Sequence, residues 1–524
     1  MKGPGFRQRM AWLHTWTGVL LGTVLYFIFL TGTAGYFDTE IDRWMRPELP
    51  MAPPASRLRM PAVADAAATY LHQHATHAPR WFIELPGTRS TPYPRVAWPD
   101  AQAEHGEREA LLDAATGQPL HARDSGAGQL LYRMHWQLHY LPPMASAWLI
   151  GAATMGMLAA LVTGIIAHRR ILADFFTFRP AKGQRSWLDA HNLLGVLALP
   201  FHLMITYSGL VFFAVTLVPW IIAMHYGAGP QGQARFFADL QVRERLPPRV
   251  GLAMSLAPLG PMVAEAEARW GRGQVAGLEV HHPGDAAARV IVRQQLESGP
   301  LRSGATLSFD GATGRALGEV PAVVWTAKAV HDTLLGLHEG LFADLPLRWL
   351  YFGSGLLGAA MVATGLVLWT TKRRQRLEQS GQAPDRSLRL VERLNVATVL
   401  GLPTSIAAYF WANRLIPAGW PARADWEAHT LFIAWALLLL HAALRPARRA
   451  WHEQAWAAAL AFALLPLLNA LTTRRHLGLS LAQGDWVMAG TDLVFLALGS
   501  AFALLAWRLA RHAAAPRMRP GYQR

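Results

Sequence analysis

The chain has 524 residues, 52% of them hydrophobic and only 16% charged, with 21 tryptophans; that composition marks a polytopic membrane protein. A formal net charge of +15 invites a nucleic-acid reading. The basic residues instead sit in short clusters beside apolar runs, at Arg169-Arg170, Lys372-Arg373-Arg374, Arg445 with Arg448-Arg449, and Arg508 with Arg511, which is the pattern of cytoplasmic loops, so no nucleic-acid partner is expected.

Cysteine is absent, which excludes iron–sulfur clusters, thioether-attached haem, disulfides and redox dithiols. If this chain moves electrons, histidine-ligated b-type haem or a flavin must carry them.

Apolar runs predict membrane helices near 12–37, 144–167, 191–224 and 348–370, then near 394–412, 427–444, 454–471 and 487–507. The first run is too long for the apolar part of a signal peptide and opens on Leu13-His14-Thr15-Trp16, so it is read as an uncleaved anchor. Placing the basic clusters inside gives eight spans with cytoplasmic N- and C-termini. The expected organisation is a first span over 1–37, an outer domain over 38–143 and two spans over 144–224 joined by an inner loop at 168–190. A second outer domain over 225–347 and a fourth span over 348–375 follow, then a C-terminal extension of about four helices over 394–507.

Each outer segment carries a helix-like stretch (Val63 to His74; Leu259 to Trp270) followed by strand-like runs, clearest in Val275–Val280 and Ala288–Arg293. Each then carries one matching hairpin, Asp113 to Thr116-Gly117 and Asp310 to Thr313-Gly314. Asp, Thr and Gly at those positions supply a side-chain hydrogen bond and a residue tolerant of positive φ. Two small α+β domains are the expectation.

The spans repeat as the hairpins do. His14, Gly18 and Thr31-Gly32 match His191, Gly195 and Ser208-Gly209 at identical spacing. Thr163-Gly164 before Arg169-Arg170 matches Thr364-Gly365 before Lys372, and Leu138-His139 matches Leu337-His338. About the first 375 residues therefore read as span, outer domain, span, twice, the two copies related by an axis along the membrane normal.

The histidines sort by depth. From His191 to His202 is eleven residues, which on one helix is three turns plus roughly 20° and a rise of about 16 Å, with a bend at Pro200 making the angle approximate. Both imidazoles would face one way at two depths, the arrangement that holds two haems stacked across a membrane; the plainer alternative is one interfacial histidine and one packed between helices. His14 with His191 suits an inner haem, and His202 with His338 or His139 an outer one. His139 and His338, with His135 and His331 close by, are equally placed to contact a substrate or to cap helices. His72, His74, His77, His105 and His121 have loose metal-site spacing that solvated surface explains as well, and His168, His429, His441 and His476 read as structural.

Leu13-His14-Thr15-Trp16-Thr17-Gly18, Leu30-Thr31-Gly32 and Glu40-Ile41-Asp42, with His191, Gly195, His202, Ser208-Gly209, Leu337-His338-Glu339-Gly340, Thr364-Gly365 and Trp369, resemble the PepSY-associated transmembrane family over about residues 1–375. The resemblance implies a mostly α fold: a polytopic helical bundle, here of about eight spans, with two small α+β periplasmic PepSY-like domains in an internal repeat. It also implies an inner-membrane ferric-siderophore reductase with two b-type haems, His14, His191, His202, His338 and His139 being the candidate iron ligands. The partners would be a periplasmic ferric siderophore or chelate, a flavoprotein or quinol donor, and membrane lipid. Arg133, Trp136, Tyr140 and Arg348 form a candidate chelate surface. The extension over 394–507 is a departure from the family, and no nucleotide-phosphate loop is present to hold a flavin or nicotinamide. Other readings of the same residues are a non-redox PepSY scaffold binding peptide or protease, and a transporter.

Overall fold

The computed structural model describes residues 5–103, 106–168, 179, 183–240, 246–322 and 326–514. The chain divides into two compact units, residues 1–47, 123–210 and 349–524 in one, and 48–122 and 211–348 in the other.

The first unit is the membrane bundle. Among the described residues seven helices are long and apolar enough to cross a bilayer: Phe6–Gly35, Pro143–Ala167, Leu345–Gln379, Arg386–Leu415, Arg423–Leu444, Ala447–Thr472 and Trp486–Arg511. An eighth crossing follows if Gln184–Leu197 and Leu199–Phe212, bent by 67°, count as one. In chain order these are spans one to eight, the bent pair being the third. Glycines set the approach of the first span to the second and fourth: a Cβ at Gly156 would strike Leu21, one at Gly355 would strike Thr33, and one at Gly358 would strike Phe29. Small residues at such crossings let helix backbones pack where no hydrophobic effect drives them together.

The third span corrects one expectation. The sequence predicts a single helix over 191–224, but the helix breaks at Ala198 and stops at Phe212, and short helices Ala214–Leu217 and Pro219–Tyr226 follow. Pro200 lacks an N–H and its ring clashes with the carbonyl one turn back, which accounts for the break; the last short helix begins at another proline. His191 and His202 therefore lie on separate helical segments, and the shared-face argument for one straight helix does not apply to them.

The C-terminal spans are fastened to the loops flanking the first and second spans by buried polar contacts. Trp44 Nε1 donates to Asp492 Oδ1 at 2.8 Å, and Arg43 pairs with Asp485 at 3.2 Å. The Arg414 guanidinium lies 3.7 Å over the Trp44 ring and donates to Asn469 Oδ1 at 3.0 Å. Glu427 pairs with Arg423 and also accepts from Ser125 Oγ at 2.6 Å and Asn413 Nδ2 at 2.6 Å. Arg423, Glu427, Asn413 and Asp492 are fully buried. Buried charges are tolerated when so paired, and losing one partner strands the other. These contacts put the Gly35 end of the first span, the Leu415–Arg423 turn and the start of the last span on one side of the bundle.

The second unit is a seven-stranded antiparallel sheet: β1 (Arg80–Glu84), β2 (Arg95–Pro99), β3 (Glu107–Leu111), β4 (Val275–His281), β5 (Arg289–Gln294), β6 (Thr306–Asp310) and β7 (Ala316–Val320), ordered β3-β2-β1-β4-β5-β6-β7. The sequence suggests two separate small domains; here both outer segments share this one sheet, joined where β1 pairs with β4 and Phe82 lies opposite Glu279. Alternating side chains (Trp81 and Ile83; Leu278 and Val280) enter a common core with Leu71, Val263, Val290, Leu307 and Phe309. Helices Met60–His74 and Leu259–Trp270 pack together, Gly260 N donating to Asp65 Oδ1 at 2.7 Å.

The matched turns are built alike. Asp113 Oδ1 accepts from Thr116 N at 2.8 Å and Oγ1 at 2.9 Å, and Asp310 Oδ1 accepts from Thr313 N at 2.9 Å and Oγ1 at 2.8 Å. Gly117 and Gly314 follow at φ 69° and 74°, a conformation nearly closed to residues with a Cβ.

Candidate functional site

The inner pair of histidines meets. His14 on the first span and His191 on the third have ring centroids 6.0 Å apart and planes inclined by 63°. Each ring is held by the following span. His14 Nδ1 lies 2.8 Å from the carbonyl of Ala160 on the second, and His191 Nδ1 lies 2.8 Å from the carbonyl of Met361 on the fourth. A carbonyl oxygen can only accept, so Nδ1 carries a proton in both rings, and in the neutral imidazole that leaves the lone pair on Nε2. No hydrogen bond engages either Nε2 among the described residues.

The Thr-Gly pairs of the repeat form the seats. A Cβ at Gly164 would lie 3.1 Å from His14 Cε1, and one at Gly365 would lie 3.0 Å from His191 Cε1. Glycine is thus what lets each imidazole lie against the neighbouring helix and reach a carbonyl one turn earlier. Thr163 and Thr364, one residue before, donate back to that same carbonyl, at 3.2 Å to Ala160 O and 2.9 Å to Met361 O. Two spans related by the repeat therefore build the same seat from the same residue types.

Between them lies a cavity of about 520 Å³, lined by His14, Gly18, Gly22, Gly164, His191, Gly195 and Gly365, with Leu25, Leu161 and Leu366 among its apolar walls. Its volume falls within the ~300–1,000 Å³ of cofactor sites. Arg7, Lys372, His168 and Asn192 also line it, Arg7 and Lys372 being exposed; Asn192 Nδ2 donates to His168 Nε2 at 2.8 Å.

This donor set fits a b-type haem. Metal-bound imidazoles characteristically donate their other N–H to a backbone carbonyl or carboxylate, and both of these do. The two rings, with centroids 6.0 Å apart on different spans, are the residues that would hold such a group. Small residues around the pair leave width for a flat macrocycle, and the two cations suit its acid side groups.

The outer candidates are not brought together in the same way. His202 is fully buried, with Nε2 3.4 Å from the Ser354 carbonyl on the fourth span, and among the described residues its Nδ1 has no hydrogen-bond partner. A buried orphan nitrogen inside a membrane bundle is a ligand candidate. Its ring neighbours are Phe29 and Phe201. His139 instead stacks on Phe432 of the sixth span at 5.9 Å, beside Tyr140, whose hydroxyl lies 2.6 Å from His429 Nδ1. Burial and then Arg133 hold His139 below the usual imidazole pKa. His338 belongs to the sheet-bearing unit, at the end of helix Ala327–Glu339 and 5.3 Å from the Phe212 ring.

Several histidines are differently placed from what spacing suggests. His135 sits against Gly32, where a Cβ would come within 3.4 Å of its ring, and burial brings its pKa down to about 4. His168 lines the inner cavity, which its position at the edge of a span did not reveal. His74 Nδ1 is 2.8 Å from the Tyr70 carbonyl and His72 packs edge-on against Trp81; His105, with Arg169-Arg170, lies outside the described residues. Among the described residues no group of three or more His, Cys, Asp or Glu is placed to hold a metal ion. Of the suggested chelate surface, Trp136 and Tyr140 are exposed, whereas Arg348 is buried and donates to the Ala343 carbonyl.

A family model described as the PepSY-associated TM region matches residues 11–372. An uncharacterized protein of Pseudomonas aeruginosa is 27% identical over 391 residues, which cover 70% of this chain and 92% of that protein.

Proposed function

The chain belongs to the PepSY-associated TM region family, and from that membership we propose that it is a di-haem oxidoreductase of the bacterial inner membrane. It takes electrons from a flavoprotein or quinol on the cytoplasmic side, where both termini lie, and reduces a periplasmic ferric siderophore or related chelate. The observation that carries this reading is the His14–His191 pair beside one largely apolar cavity, with both Nδ1 atoms bound to carbonyls and neither Nε2 hydrogen-bonded among the described residues.

A bound haem would supply one-electron chemistry at its iron. His14 and His191 would hold that iron from two different spans. The Ala160 and Met361 carbonyls fix the tautomer that leaves each Nε2 able to ligate, and they raise its basicity. Arg7 and Lys372 would balance the acid groups at the macrocycle edge. The leucines exclude water, so the charge on the site is governed by its fixed ligands. His202, buried between Phe29 and Phe201, would be one ligand of a second haem. On the substrate side, reduction to Fe(II) weakens binding by hard oxygen donors, so the iron leaves its chelate.

The test is reduction of a ferric hydroxamate or catecholate by membranes carrying the full chain, with the Fe(II) trapped by a coloured chelator. Wild-type membranes should produce Fe(II) well above those carrying His191→Ala. Equal yields from the two would defeat the proposal.

A further inference from the structure

The haem-binding seats contain one element that ligation itself does not need. Each seat carbonyl receives two side-chain donors, the histidine ring and a threonine hydroxyl. In the second span Thr163 Oγ1 divides its one hydrogen between Ala159 O at 2.6 Å and Ala160 O at 3.2 Å. In the fourth, Thr364 Oγ1 divides it nearly evenly between Ala360 O at 2.8 Å and Met361 O at 2.9 Å. The seats otherwise match, with each imidazole at 2.8 Å from its carbonyl.

A hydroxyl bonding back to a carbonyl three or four residues earlier is common in membrane helices and is structural on its own. What differs here is that the carbonyl it reaches is the one holding a candidate ligand histidine, in both copies of the repeat. A carbonyl that already accepts one hydrogen bond is a weaker acceptor for another. The histidine N–H is then drawn off less, the ring carries less imidazolate character, and its Nε2 is a poorer donor to ferric iron. Ligand basicity set by such outer contacts is one of the levers a protein has on a metal's potential.

We propose that Thr163 and Thr364 are positioning residues that raise the reduction potential of the haem held by His14 and His191. The inference rests on the haem reading above. Thr364 is the stronger of the two, because its hydroxyl lies closer to the seat carbonyl. Valine keeps the shape of threonine and removes only the hydroxyl, freeing the carbonyl to pull harder on the histidine. Thr364→Val should favour the ferric state by up to about tenfold, a shift of about 59 mV to lower potential for one electron. Thr163→Val should move it in the same direction by less, on the order of threefold, and the double variant should show both shifts.

The experiment is a spectroscopic redox titration of the purified full chain carrying its haem, with pyridine haemochrome content measured alongside. Unchanged haem content, a lower midpoint for one haem, an unmoved midpoint for the other, and wild-type behaviour in Thr364→Ser and Thr163→Ser would support the assignment. Wild-type midpoints in both valine variants, or a shift upward, would overturn it while leaving the haem reading standing. Absence of haem from the wild-type protein would remove that reading, and the inference with it. If one valine variant fails to accumulate, the other tests the same sign from the opposite ligand.

Discussion

Replacing Gly365 with alanine separates the histidine seat from the packing of the bundle. The new Cβ would lie 3.0 Å from His191 Cε1 and 3.2 Å from Nδ1, so the ring has to retreat by a few tenths of an ångström. That retreat weakens the bond to the Met361 carbonyl, worth about 0.5–1.5 kcal/mol. Alanine in a helix interior is favoured over glycine by about 1 kcal/mol, so the two effects nearly cancel in the apoprotein. The effect on metal binding does not cancel, since loss of such an outer contact typically costs about 10–100-fold in affinity. Thermal unfolding of apoprotein in detergent, followed by tryptophan fluorescence, should therefore change little, while titration with hemin should show weakened binding. Gly164→Ala, with its Cβ 3.1 Å from His14 Cε1, should behave alike. Hemin binding at wild-type affinity in both variants would refute the seat; a large fall in thermal stability would mean that the glycines serve packing instead.

His202→Ala should remove one haem and leave the His14–His191 haem in place, checked by haemochrome content; a full complement would exclude His202 as a ligand. Reporter fusions after Gly117 or Gly314 should read as periplasmic and those at Gly183 or Gly381 as cytoplasmic, as the bias of short basic loops toward the inside predicts; a cytoplasmic signal at Gly314 would break the repeat. Glu427→Ala strands the buried Arg423 and should cost about 3–5 kcal/mol, seen as a lowered unfolding temperature, whereas pairing it with Arg423→Met should recover much of the loss. Burial raises the Asp42 carboxyl to about 6, above its ordinary range near 3.9. The folded state therefore holds that proton more tightly, and this contribution to stability is full below about pH 4 and is lost as pH rises through about 6. Asp42→Asn should flatten the stability profile across that window, and an unchanged slope would assign the effect elsewhere.

The parts of the structure that local chemistry governs were legible from the residues. Asp113 and Asp310 build their turns from side-chain bonds to the threonine three residues on, so the motif and the contact coincide. The helix Leu259–Trp270 has the bounds its pattern suggests. His14 and His191 meet because the repeat places equivalent side chains on opposing spans. What could not be read depends on distant partners. The join of β1 to β4 pairs strands nearly two hundred residues apart in sequence, and no local pattern announces that two half-sheets will share an edge. Pro200 signals a bend, but its size depends on what packs around the freed carbonyls. The carbonyls of Ala160 and Met361 carry no sequence signature, although the Thr-Gly pairs beside them do. Trp44, Arg414, Asn469 and Asp492 read as scattered polar residues until the fold gathers them.

Haem stoichiometry tests the central claim most directly. The full chain, expressed with adequate haem supply and purified in mild detergent, should give a pyridine haemochrome of b type at close to two haems per chain, falling by one in His14→Ala and in His191→Ala. Folded full-length protein with no haemochrome signal, or with undiminished haem in both variants, would contradict the account.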